Sequence, residues 1–84
     1  SKQLLRSGTA VGALIREAEF AQSRPDFINK MSVALKEANE TLYWLSLLKD
    51  TDYISPEAYD MLSAGCKELI SMLVASIKTS KSRK

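Results

Sequence analysis

The sequence predicts an all-α fold, an antiparallel up-and-down helical bundle. Three observations carry that prediction. Apolar residues recur at steps of three and four over long stretches, the period of an amphipathic helix. Glycine and proline number only three and two, so little interrupts a helix. Two serine–proline signals, "SRPDF" and "ISPEAY", mark helix starts. The boundaries that follow are helices over about 2–22, 25–49 and 56–79, one domain over residues 1–79, and a basic tail over 80–84.

The first helix carries "LLRSGTAVGALIREAE", with Leu4, Gly8, Val11, Ile15 and Ala18 on one face. Gly8 and Gly12 raise a choice. A phosphate loop needs a strand before it and a lysine after its last glycine; here Ala13 and Leu14 follow Gly12. A membrane-helix contact fails because Arg6 and Arg16 stand inside the span it would require. What remains is steric: each glycine costs about 1 kcal/mol of helix propensity, and close approach of another helix compensates. Gly8 and Gly12 are read as a packing feature.

The second helix begins where Ser23 caps towards Asp26 and Pro25 presets the first turn. Its stripe is Phe27, Met31, Ala34, Ala38, Thr41, Leu45 and Leu48, widened by Ile28, Leu35 and Leu42. "KDTDY", residues 49–53, is loop-like. In the third helix Ser55 caps, Pro56 takes the first position and Glu57 suits the positive end. Its stripe is Leu62, Cys66, Leu69, Ile70, Leu73 and Ile77. Short connections make consecutive helices antiparallel neighbours, and heptad-like spacing favours shallow crossings.

Composition narrows the chemistry. The 84 residues are 45% hydrophobic and 26% charged, an ordinary globular balance. No apolar run reaches the length of a membrane span and no secretory signal is recognisable, so a cytoplasmic location without membrane contact is expected. There is no histidine, which removes the commonest metal ligand and the commonest acid–base group near neutral pH. Cys66 is the single cysteine and reads as a small buried residue on a helix. No catalytic, cofactor or metal site, and no small-molecule substrate, is expected. The tail "KTSKSRK" holds four of twelve basic residues, leaving eight basic against ten acidic in the body.

Off the main stripes lies a second set of apolar residues. Val33, Trp44 and Leu47 project opposite the core face of the second helix. Met61 and Met72 share an azimuth on the third, and Leu14 belongs to a lateral ridge on the first. A lone three-helix bundle would leave these wet. Either a fourth helix is missing or copies pack side by side, and these six residues are read as an oligomer interface.

Residues 4–54 also resemble the bacterial four-helix-bundle family named for proteins encoded in intervening sequences of 23S ribosomal RNA genes, once called S23 ribosomal proteins. The same fold group includes accessory variability determinant proteins of diversity-generating retroelements. The matching features are Arg6, Glu17, Phe27, Ala34, Glu40, and Tyr53 with Ile54. Where the family often shows Asn-Ile-Ala-Glu-Gly this chain reads "LIREA", so Leu14 replaces the Asn and Ala18 the Gly. The resemblance implies a fourth helix ahead of these three and assembly into a ring, typically a homopentamer. In the retroelement relatives the ring binds nucleic acid and a reverse transcriptase. Arg6, Glu17 and Glu40 fall where the family places polar groups and are read as structural ion pairs.

The functional expectation is therefore a non-enzymatic oligomeric scaffold. Arg16, Arg24, Lys30 and Lys36 in the body, with Lys78, Lys81, Arg83 and Lys84 in the tail, are the candidate contacts to RNA or DNA. Solvated surface charge is the alternative for each of them. A protein-interaction module that docks a partner helix or a reverse transcriptase is the second reading. A small helical enzyme of chorismate-mutase type is the third, and it suffers from having no cation within the main apolar stripes.

Overall fold

The computed structural model describes residues 2–82. Three helices make up the described residues: α1 (Lys2–Glu19), α2 (Arg24–Asp50) and α3 (Pro56–Ser82). Both predicted caps form. The Asp26 amide donates to Ser23 Oγ at 3.2 Å and the Ala58 amide to Ser55 Oγ at 3.1 Å, each satisfying one of the free amides at a helix start.

Two boundaries differ from the sequence reading. α1 ends at Glu19 rather than near residue 22. Ser23 must be extended to cap α2, and it is, with φ −151° and ψ 163°, so the chain has to leave α1 early enough to reverse. The exit is tightened by Phe20 N–H to Glu17 O and Ala21 N–H to Ala18 O, both 3.1 Å. At the other end, α3 continues through Ser82. Nothing between Lys78 and Ser82 breaks a helix, and Lys81 complements its negative end. The expected basic tail is thus helical as far as Ser82, while Arg83 and Lys84 lie outside the described residues.

α2 leaves through a Schellman motif: Asp52 N–H reaches Lys49 O at 3.0 Å and Tyr53 N–H reaches Leu48 O at 2.8 Å. Asp52 takes the left-handed position this motif requires, at φ 59°.

The core follows the predicted stripes. Val11 and Ala18 of α1, Met31, Ala34 and Ala38 of α2, and Leu73 and Ile77 of α3 form one buried cluster. Polar ties across the seams confirm the antiparallel order. Lys30 Nζ lies 3.2 Å from Glu17 Oε1, joining the start of α2 to the end of α1. Ser46 Oγ and Tyr59 Oη lie 3.3 Å apart, and Lys49 Nζ sits 4.6 Å from the centre of the Tyr59 ring, joining the end of α2 to the start of α3.

The arrangement is not a closed triangle. α1 and α3 each pack along α2, yet no Cα of α1 comes within 8 Å of a Cα of α3. The molecule measures 47 × 21 × 13 Å, a V-shaped slab with α2 at its vertex.

Candidate functional site

Because α1 and α3 lean on α2 and not on each other, a groove runs between them. Its floor is Ala38, Thr41 and Leu45 of α2. One wall is Leu4, Gly8 and Gly12 of α1; the other is Leu62, Gly65, Cys66 and Leu69 of α3. Towards the far end of the slab a separate pocket lies between Phe27 of α2 and Met72 of α3. A side-chain carbon built on Gly8, Gly12 or Gly65 would meet nothing within 4 Å. The close packing expected at Gly8 and Gly12 therefore does not occur between the three helices. These glycines sit on the wall of an open channel.

The groove is chemically quiet. Cys66 is half-buried, its Sγ donating to Ala38 O at 3.2 Å, and burial raises its pKa above the ordinary thiol range. Thr41 Oγ1 donates to Glu37 O at 2.9 Å, closing its own polar valence inside α2. Among the described residues no cluster of cysteine, aspartate and glutamate is placed to hold a metal ion. Apolar walls with glycine backbone on both sides suit a helical rod.

The six residues expected to form an interface do not share one surface. Leu14 packs against the buried cluster within this chain. Val33 is exposed and Trp44 and Leu47 are half-buried on the back of α2, where Tyr43 meets Trp44 edge-on with ring centres 5.4 Å apart. Lys36, Glu40 and Tyr43 line a shallow cleft on that same back. Met61 and Met72 stand on α3, 76% and 54% exposed. The surplus apolar surface is real but divided between the back of α2 and the flank of α3.

Of the three residues read as ion pairs, Glu17 pairs with Lys30 across the α1–α2 seam. Neither Arg6 nor Glu40 meets an opposite charge among the described residues. Lys30, a candidate for nucleic-acid contact, is committed to Glu17 instead. The antiparallel order gathers Arg16, Arg24, Lys78 and Lys81 at one end of the slab, where α1 and α3 finish and α2 starts. Lys36 is not part of that group.

Sequence reasoning passed over two buried serines. Ser63 donates to Asp60 O at 3.3 Å. Ser7 is 1% exposed, and its Oγ has no hydrogen-bond partner among the described residues. The signal was present: residues 7, 11, 14 and 18 step by four, three and four, which puts Ser7 on the line of Val11 and Ala18.

No helix among the described residues is long and apolar enough to cross a membrane. No curated protein matches the sequence. A solved structure from Bacteroides thetaiotaomicron, a protein of unknown function from the S23 ribosomal protein family, is 58% identical with a TM-score of 0.90. That match covers 92% of this chain and 71% of the other, so the solved chain is longer. The model of the 23S rRNA-intervening sequence protein family matches residues 1–75. With a family-wide match over nine-tenths of its length and a fold to go with it, the chain belongs to the 23S rRNA-intervening sequence protein family.

Proposed function

We propose that this chain is a non-enzymatic scaffold that works by assembling with copies of itself, and that its groove is the seat of a fourth antiparallel helix. The separation of the α1 and α3 backbones, with no Cα pair within 8 Å, carries this reading. It leaves an apolar channel with Leu5 and Leu62 exposed on its walls, beside Met61 and Met72 exposed on α3. Apolar surface of that extent on a 9.3 kDa chain is costly to leave in water, at about 25 cal/mol for each Å². The greater length of the similar solved chain supports the fourth helix, since there is polypeptide to supply one.

Self-assembly makes stability depend on concentration, because the folded state is drawn off by association. Thermal unfolding followed over a hundredfold range of protein concentration tests the reading. The midpoint rises with concentration if copies share their apolar surface. A midpoint that stays fixed counts against assembly.

A second reading, nucleic-acid contact, is favoured by the cations gathered at one end, namely Arg16, Arg24, Lys78 and Lys81. Glu17, Glu19 and Asp26 share that end and dilute its field. Binding through it is therefore weak, insensitive to base sequence and steeply dependent on salt. Filter binding of RNA and DNA at 50 and 200 mM salt decides it, and no retention at the lower salt ends this reading.

A further inference from the structure

The outer edges of the slab, on the far sides of α1 and α3 from α2, border the groove, and the α1 edge shares Leu5 and Thr9 with its wall. Along α1 the exposed residues Leu5, Thr9, Ala13, Arg16 and, just past its end, Phe20 follow steps of four, four, three and four. At 100° per residue these share one face, with Arg6 beside Leu5. Leu5 and Phe20 are 72% and 76% exposed. Along α3 the exposed residues Glu57, Met61, Ala64, Glu68, Met72 and Ala75 follow steps of four, three, four, four and three. Each edge is therefore a coiled-coil-like seam with nothing packed on it.

The two seams differ in sign. The α1 edge carries Arg6 and Arg16, ten residues and about 15 Å apart along the axis. The α3 edge carries Glu57 and Glu68, eleven residues and about 16 Å apart. Small residues, Thr9 and Ala13 on one side and Ala64 and Ala75 on the other, let two backbones approach. The nearest cation on α3, Lys67, lies about 100° round the helix from Glu68; on α1, Glu17 is held by Lys30, Lys2 adds to the basic edge, and Glu19 stands on its rim about 60° round from Arg16.

We propose that the α1 edge of one copy docks on the α3 edge of the next. Arg6 and Arg16 face Glu57 and Glu68, and Leu5 and Phe20 close over the methionine seam. The occupant of each edge is a second copy of this chain. The joint is heterologous, because two different surfaces meet, so it repeats from copy to copy and either closes into a ring or runs on as a filament. This proposal rests on the self-assembly reading above and names the surfaces that perform it.

Charge exchange tests it. One variant carries Arg6→Glu and Arg16→Glu; a second carries Glu57→Lys and Glu68→Lys. All four residues are exposed, so the helical fold is kept, which circular dichroism verifies. In the first variant both edges are acidic, and in the second both are basic. Sedimentation velocity shows each alone associating roughly tenfold or more weakly than the unaltered chain, from like charges facing each other. A third variant carrying all four substitutions recovers the assembly, because every joint then pairs an acidic α1 edge with a basic α3 edge whatever the number of copies, and native mass spectrometry finds the copy number of the unaltered chain. Two variants that both retain the unaltered mass would overturn this joint while leaving self-assembly standing. Two variants that dissociate while the fourfold variant also stays dissociated would show that the two edges are not partners. An unaltered chain that stays monomeric would overturn the joint and the assembly reading together.

Discussion

Asp52 occupies a left-handed backbone position, φ 59°, where a side-chain carbon crowds the chain and glycine does not. Its amide closes the Schellman turn on Lys49 O at 3.0 Å, so the strain is held in place by the end of α2. Asp52→Gly relieves it without disturbing that hydrogen bond. The expected gain is about 0.5–1 kcal/mol, a rise of several degrees in the unfolding midpoint of so small a domain. An unchanged or lowered midpoint in a calorimetric scan would show that the turn is not strained.

Cys66 makes the second residue-scale prediction. Burial favours its neutral thiol, and donation to Ala38 O holds the same form. In the folded chain the proton is therefore released at higher pH than in the unfolded chain. Above the ordinary thiol range, near about 8.5, the unfolded chain ionises first and stability falls as pH rises. Iodoacetamide labelling at pH 8 should run well below the rate of an unfolded cysteine. A rate equal to that of the denatured protein would contradict the burial.

At the scale of the elements, the sequence revealed helix starts better than helix ends. Ser23 with Pro25, and Ser55 with Pro56, combine a side-chain cap with a preset dihedral, and both appear where they were expected. The end of α1 carries no such mark. Ala21 and Gln22 are good helix formers, and only the demand that Ser23 be extended stops the helix at Glu19. Stripe positions were legible because burial has the helix's own period, as Met31, Ala34, Ala38 and Leu45 show. The gap between α1 and α3 was not, because an amphipathic stripe looks the same in a closed triangle as in an open V. That is why Gly8 and Gly12 were assigned a close contact they do not make in this chain. It is also why Leu14, placed on an outer ridge by its offset from the stripe, turned out to pack against the core. The open wall has a measurable sign. Gly12→Ala should stabilise the 84-residue chain by about 1 kcal/mol, the propensity gain with no clash to oppose it. Loss of stability on chemical denaturation would mean that something in solution already lies against Gly12.

At the scale of the whole molecule, three helices that meet only along α2 cannot enclose their apolar surface. One side of the V is a channel, and two flanks are unpartnered seams of opposite charge. A fourth helix would cover the channel floor at Ala38, Thr41 and Leu45 and a neighbouring copy the charged flank, the two meeting at Leu5 and Thr9. The polar ties fit this division: Glu17 with Lys30 and Tyr59 with Ser46 lock the seams inside the chain, while Arg6, Glu57 and Glu68 are left facing outward. Light scattering coupled to size exclusion tests the claim that copies share what one cannot bury. At about 100 μM in moderate salt, a mass that is a whole-number multiple of 9.3 kDa, greater than one, is the expected result. A mass of 9.3 kDa, unchanged as the concentration rises, would contradict it.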